Sequence, residues 1–141
     1  MRYLMLICRD PAIELTPQDR AAMRDGVVAW VDEMEGRGIL LPGGHELRPA
    51  SYGRTVRVRS DKALISDGPF AETKELIGGY WIINVKSKAE AIEWAKKIPF
   101  QTLPNDGRVP EVEIRQFFEI EDFPNAPADV VEQEKKHFGR K

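Results

Sequence analysis

The chain has 141 residues, of which 42% are hydrophobic and 31% are charged, and its formal net charge is −2. This length and composition suit one folded domain with its own core and exclude a disordered chain. The nearly balanced charge gives no strong positive field for nucleic acid, and no apolar run approaches the roughly 20 residues that span a bilayer. We therefore expect neither a nucleic-acid nor a membrane partner.

Cysteine and histidine are scarce in this sequence. Cys8 is the only cysteine, so we expect neither an intramolecular disulfide nor a cysteine-rich metal site. His45 and His137 are far apart in the chain, which disfavours a histidine-based metal site. The sequence has neither an EF-hand loop nor a glycine pattern that cradles phosphates. We expect no metal and no cofactor, and the single cysteine makes a cytoplasmic location the default.

The chain begins with a predicted strand and a predicted helix. Residues 3–8 are apolar on both alternating faces, which is typical of a strand covered on both sides. Thr16 can cap a helix, Pro17 suits its first position, and Asp19 can bond back to the cap. The helix ends near Gly36. Apolar residues recur along it at spacings of three and four: Met23, Val27, Trp30, Val31 and Met34.

The middle of the chain reads as short strands. Residues 39–41 form a brief apolar run that glycine then interrupts at Gly43 and Gly44. Residues 54–59 alternate strictly between apolar and polar side chains, and residues 63–65 form a second apolar run after a turn. The two runs predict a hairpin.

The second half of the chain repeats the order of strand, helix and strand. Residues 80–85 are rich in aromatic and β-branched side chains and predict a strand. Ser87 and Glu90 form a predicted capping box, and Pro99 ends the helix. Residues 111–120 alternate again and predict a long, half-buried final strand. The predicted buried face of the helix consists of Ala91, Ile92, Ala95 and Ile98.

This order of elements predicts a fold. Two strand–helix–strand units with an inserted hairpin give a ferredoxin-like α+β sandwich over residues 1–123. Residues 124–141 form an appendage that could hold a short helix. Both helices must cover one face of the sheet, and the other face keeps apolar side chains that need a partner. We expect a homodimer in which a second copy closes on that face across a twofold axis.

The loop from Asp67 to Glu75 concentrates polar groups between two apolar runs, and it is the predicted functional loop. Asp67, at a strand end, is a candidate general base or a residue that orients a histidine. Alternatively, Asp67 caps its own turn and Phe70 fills the core. The remaining charges could equally be solvated. The loop residues that we predict to line a pocket are Gly68, Pro69, Phe70, Glu72, Thr73, Lys74 and Glu75.

His45 follows two glycines, where the backbone permits a bulge or the close approach of a ligand. We predict proton transfer by Asp67 with His45, without metal or nucleotide, although an isolated histidine is often an ordinary polar residue. Tyr3 and Tyr80 each begin an apolar strand, so their hydroxyls could reach the pocket mouth as ligand-binding groups. The alternative is an aromatic core residue with a solvated tip.

One stretch of the sequence resembles the defining motif of a known family. The motif is that of the DGPFAETKE (DGPF) family, which belongs to the YCII-related proteins of bacteria. The resemblance extends to residues 2–7, 55–59, 90–99 and 111–115, so it spans roughly residues 1–123. The matching stretch reads Asp67-Gly68-Pro69-Phe70-Ala71-Glu72-Thr73-Lys74-Glu75 and continues to Tyr80.

The resemblance implies a dimeric ferredoxin-like α/β barrel, and most members have no established activity. Related YCII-type proteins carry a His–Asp pair in a pocket, with the histidine in the first helix. Here the predicted first helix has no histidine, so His45 would have to approach Asp67 from another strand. We therefore predict a small-molecule-binding protein or small enzyme with an acid/base pocket around the 67–75 loop.

The resemblance also implies an alternative. Family members are often encoded beside extracytoplasmic-function sigma factors, which favours a non-catalytic regulatory module with a sigma factor as partner.

Overall fold

A computed structural model gives the fold of residues 1–9, 15–59, 62–68, 76–102 and 111–138. Single 3-10 turns lie at Ala50–Tyr52, Phe100–Thr102 and Ile120–Asp122. The helices are α1 (Pro17–Gly36), α2 (Lys88–Lys96) and α3 (Ala128–Phe138). The strands are β1 (Arg2–Arg9), β2 (Leu40–Glu46), β3 (Arg54–Arg59), β4 (Lys62–Asp67), β5 (Leu76–Asn84) and β6 (Glu111–Gln116).

Four of the strands form one sheet. Its order is β2-β5-β1-β6, and every neighbouring pair is antiparallel. Strands β3 and β4 pair only with each other in the described part of the chain, as the inserted hairpin that the alternating sequence predicts. The result is an α+β fold with three helices and an antiparallel sheet, compatible with the predicted ferredoxin-like sandwich.

Side-chain caps fix the beginning of both core helices. At α1 the Thr16 hydroxyl accepts the Asp19 N–H at 3.1 Å, and the Asp19 carboxylate accepts the Thr16 N–H at 2.9 Å, so the predicted cap is confirmed. At α2 the Ser87 hydroxyl accepts the Glu90 N–H at 3.2 Å. Glu90 accepts from the backbone of Lys86 rather than from Ser87, which makes the second box one residue wider than predicted.

The core lies between the helices and one face of the sheet. Trp30 and Met34 from α1 pack in one cluster with Tyr3 and Met5 from β1. The α2 residues of the cluster differ from the prediction: Ile92 is exposed, whereas Trp94 is buried together with Ala91. The Trp30 Nε1–H donates to the Trp94 carbonyl oxygen at 3.1 Å and ties the two helices together.

The strand register assigns the remaining side chains to faces. Met5 pairs with Trp81 on the helix-covered face, and Leu6 pairs with Tyr80 on the opposite face. Leu6 keeps only 8% of its surface exposed and Met5 none. Strand β1 is therefore covered on both sides, as its unbroken apolar sequence predicts.

The final strand is shorter than predicted. Strand β6 ends at Gln116, and Phe118, which the alternation assigned to the buried face, is 74% exposed. The reason lies in its partner: the Phe117 N–H still bonds the Arg2 carbonyl at 3.0 Å, but β1 begins at Arg2 and offers no further ladder positions. A 3-10 turn follows, with the Glu119 N–H held by Asp122 at 2.8 Å.

Candidate functional site

A groove runs along helix α1, between that helix and strands β2 and β5. Its volume is about 520 Å³, within the range of small-molecule sites. Most of its wall is apolar, and Trp81 joins it from β5. The groove-lining residues are Leu15, Arg20, Met23, Arg24, Val27, Val28, Val31, Glu35, Leu40, Gly44, His45, Glu46 and Trp81.

A bulge in β2 brings the sheet edge into this groove. The pairing steps from Leu41 opposite Ile82 directly to His45 opposite Tyr80, so β2 carries extra residues between these positions. Gly43 adopts φ 112°, a conformation that suits glycine. At Gly44 an added Cβ would lie 2.6 Å from the Tyr80 carbonyl oxygen and 2.8 Å from the Trp81 Cα. The glycine pair thus permits a close contact between backbones, as predicted from the sequence.

Charged side chains gather at the end of the groove where α1 begins. Arg20 lies 3.6 Å from Glu46 across the groove, in a salt bridge whose partners are both more than half exposed. Arg24, one turn further along α1, contacts Asp25 at 3.4 Å. His45 is next to Glu46 on β2 and lines the same groove. This end therefore holds two arginines, one histidine and one glutamate.

The predicted partner of His45 lies at the base of the hairpin. Asp67 ends β4 opposite Arg54, and its carboxylate binds the Arg54 guanidinium at 2.7 Å. Within the described residues no hydrogen bond or ion pair joins His45 to Asp67. Their pairing as a catalytic dyad stays a prediction, with His45 in the groove and Asp67 in an exposed ion pair.

Gly68 follows Asp67 and fixes the neck of the hairpin. Its N–H donates to the Gly53 carbonyl at 2.9 Å, which continues the β3–β4 ladder by one bond. A Cβ at Gly68 would collide with the carbonyl oxygen of Ala50, so only glycine fits here without displacing backbone. Gly68 therefore has a structural role, and its predicted ligand contact stays a prediction.

The other predicted ligand-binding residues fall into two groups. Tyr3 is a core residue whose hydroxyl lies 3.3 Å from the Gln116 side-chain oxygen, and Tyr80 is half-buried opposite His45. The rest of the motif lies outside the described residues: Pro69, Phe70, Glu72, Thr73, Lys74 and Glu75.

Sequence reasoning missed several residues that line the groove. Met23, Val27 and Val31 belong to the predicted apolar stripe of α1, but we interpreted the whole stripe as core. Arg20 and Arg24 flank that stripe four residues apart, and this spacing places both on one side of the helix. The spacing therefore indicates a shared side of α1, whereas the groove itself depends on the position of β2, which the sequence does not give.

A second cavity, of about 580 Å³, lies between the end of β6 and helix α3. Phe118 and Phe123 form its aromatic side, with ring centroids 5.4 Å apart. Glu119 lies at its edge and forms a 2.9 Å salt bridge with Arg2. The Glu119 carboxylate also accepts the Arg2 backbone N–H at 3.0 Å and the Arg2 Nε–H at 3.1 Å. Burial alone would raise the pKa of Glu119, but its bonds to Arg2 outweigh burial and lower that pKa below the ordinary value.

The described residues also bear on metal binding and on membrane spans. No group of three or more histidine, cysteine, aspartate or glutamate side chains lies within reach of a common metal ion there. Among the described helices, none is long and apolar enough to cross a membrane.

Comparison with known proteins identifies the family. The profile of the YCII-related domain matches residues 1–118. An uncharacterized protein of Rhizobium meliloti (strain 1021) is 36% identical over 101 residues, which cover 70% of this chain and 80% of that protein.

A solved structure is also similar in part. It is 5-chloro-2-hydroxyhydroquinone dehydrochlorinase from Burkholderia phenoliruptrix AC1100 in complex with 2,5-dihydroxybenzoquinone. That enzyme is 16% identical, with 84% of this chain and 94% of that chain covered and a TM-score of 0.40. The family profile, which covers most of the chain, and the relative from Rhizobium show that the chain belongs to the YCII-related domain family.

Proposed function

We propose that the protein binds a small organic molecule in the groove along α1 and acts on it by acid–base chemistry. The observation that carries this proposal is the groove itself, an apolar volume of about 520 Å³ with His45, Arg20 and Glu46 at one end. Apolar walls with a few polar groups at one side are typical of small-molecule sites.

His45 is the proton-transferring group in this proposal. Imidazole is the side chain whose charge changes near neutral pH, and His45 is among the residues that line the groove, although its pairing with Tyr80 puts it on the sheet face opposite Trp81. Asp67 remains the proposed carboxylate partner. Because its ion pair with Arg54 is exposed, breaking that pair costs only about 0–1 kcal/mol.

A thermal-shift screen of small aromatic and aliphatic compounds tests the binding proposal. A ligand of the folded state raises the melting temperature by mass action. Val28 lines the groove and is 53% exposed, so Val28→Trp fills the groove from its rim without enlarging the core. Ala29→Trp places the same ring on an exposed position of the same helix outside the groove and is the matched control.

We expect ligands to stabilise the unaltered protein and Ala29→Trp, and not Val28→Trp. Ligand shifts that survive in Val28→Trp would place the binding site elsewhere and refute the proposal. For the chemistry, His45→Gln should retain binding and lose turnover of any compound that the unaltered protein converts.

We also propose a homodimer that forms through the sheet face opposite the helices. Leu4, Tyr80 and Ile82 lie on that face and are half-buried in the single chain. Sedimentation velocity at micromolar concentration should give a dimer, and Ile82→Glu should shift it to monomer because charge opposes burial of that face. A stable monomer of the unaltered protein would refute the dimer.

One observation favours a second candidate function, a regulatory interaction module. On one face of the hairpin, Val56, Val58 and Ile65 are 59%, 72% and 61% exposed. Exposed apolar clusters mark interaction surfaces. Co-elution with a purified extracytoplasmic-function sigma factor, lost in Val56→Thr/Val58→Thr, would support it. If the two proteins do not co-elute, the regulatory proposal fails and only the small-molecule proposal remains.

A further inference from the structure

We infer that the groove selects ligands with a carboxylate at one end of an apolar body, and that Arg20 and Arg24 bind the carboxylate. This inference rests on the proposed small-molecule function and names the ligand class of that same groove. It is carried by the placement of the two arginines, by the weakness of their present ion pairs and by the apolar wall beside them.

The two arginines are a matched pair on one side of α1. Residues four apart lie about 6 Å apart along the helix axis and on the same face, and both line the groove. Arg20 is 57% and Arg24 74% exposed, so both guanidinium groups are free to reorient toward a ligand. Guanidinium groups bind carboxylates through two parallel N–H···O bonds, which gives geometric selectivity as well as affinity.

The present partners of the arginines do not compete strongly with a ligand. Arg20 meets Glu46 at 3.6 Å and Arg24 meets Asp25 at 3.4 Å, both in exposed pairs. Such exposed pairs contribute little to stability, whereas a carboxylate held in a partly enclosed groove gains more from the same donors. An incoming carboxylate can therefore take over these guanidinium groups at small cost.

The charge balance at this end of the groove also favours an anion. Of the described groove-lining residues at this end, two are arginines and one is a glutamate, Glu46, while Asp25, which pairs with Arg24, lies outside the lining. The other groove-lining carboxylate, Glu35, lies about 22 Å from Arg20 along the helix axis, beyond a Debye length at physiological salt. A ligand carboxylate is thus attracted to the Arg20 end and not to the Glu35 end.

The apolar body of the ligand has a defined place next to this end. Met23 lies between the two arginines along the helix and Val27 follows them, and Trp81 on β5 also lines the groove. The Trp81 ring lies next to Gly44, since a Cβ there would be 3.2 Å from the Trp81 Cδ1. A flat ring or an alkyl chain attached to the carboxylate can lie in this space, bounded by Trp81 and the apolar side chains of α1.

Isothermal titration with matched acid and amide pairs tests the inference. The probes are benzoate and benzamide, indole-3-acetate and indole-3-acetamide, and octanoate and octanamide, which differ within each pair by the negative charge. We expect at least one acid to bind at least tenfold more tightly than its amide, and less tightly at high salt. Arg20→Gln and Arg24→Gln should each weaken acid binding about tenfold and leave amide binding unchanged.

Arg57→Gln removes another exposed arginine, from the hairpin, and serves as the control for net charge. If acid and amide bind equally, or if Arg57→Gln weakens acid binding as much as Arg20→Gln does, the carboxylate inference fails while ligand binding stands. If neither acids nor amides bind, both the inference and the proposed small-molecule function fail. Circular dichroism of each variant confirms that folding is intact.

Discussion

Replacing Gly44 by alanine tests whether the groove depends on the close approach of β2 to β5. The new Cβ would lie 2.6 Å from the Tyr80 carbonyl oxygen and 2.8 Å from the Trp81 Cα, whereas ordinary van der Waals contact begins near 3.4 Å. Both contacts are to backbone atoms, so no side chain can rotate away. The two strands must separate at the bulge.

The expected loss of stability combines two opposing effects. Overpacking of this kind destabilises by about 1–3 kcal/mol, and the reduced freedom of alanine in the unfolded chain returns about 0.4–1 kcal/mol. The two ranges leave a net loss of about 0–2.6 kcal/mol, or about 1.3 kcal/mol at their midpoints, which for a chain of this length lowers the melting temperature by roughly 5 °C. Separation of the strands also shifts Trp81 and should weaken ligand binding in the groove.

Urea unfolding at 25 °C, followed by circular dichroism, measures the change. Gly36→Ala is the matched control, because no atom lies within 4 Å of a Cβ at this last residue of α1. That control should be unchanged or more stable by up to about 1 kcal/mol. The reasoning is refuted if Gly44→Ala is as stable as the unaltered protein, or if both variants lose the same stability.

Three further outcomes concern the core and one ion pair. Met34→Ala should cost about 2–5 kcal/mol in urea unfolding, because Met34 has no exposed surface and truncation leaves a cavity. Trp30→Phe should cost about 0.5–1.5 kcal/mol, since it removes the 3.1 Å hydrogen bond to the Trp94 carbonyl, which keeps its bond from the Lys97 N–H. Arg2 lowers the pKa of Glu119 in the folded protein below the value near 4.5 of the unfolded chain. The stability lost in Glu119→Gln should therefore be constant at pH values above 4.5. It should vanish as the pH falls through the lower pKa of the folded protein. An equal effect at all pH values would contradict that linkage.

The sequence predicted the elements of the fold well where local chemistry decides them. The Thr16–Asp19 cap and the alternation of residues 54–59 depend on neighbours in the chain, and both appear as expected. The end of the final strand depends on where its partner β1 begins, and the two strands are far apart in the sequence. Alternation continued past Gln116 in the sequence, but the ladder had no partner left.

The candidate site was only partly predictable for a similar reason. His45 was singled out from the glycines before it, and it does line the groove. Arg20 and Arg24 looked like ordinary surface charges because nothing in the sequence says that β2 faces this side of α1. Likewise, Trp94 carried no sign of burial beyond its type, and its packing against Trp30 is set by the helix arrangement.

The bulge in β2 has a consequence for self-association as well as for the groove. Strand β2 lies at one edge of the described sheet, where unpaired backbone groups could template an added strand and start aggregation. Pro42 has no N–H to offer there, and the bulge at Gly43 breaks the regular spacing that a further strand would need. At the opposite edge, exposed Glu113 and Arg115 add charge. The same irregularity that opens the groove thus protects the sheet edge from adding strands of other chains.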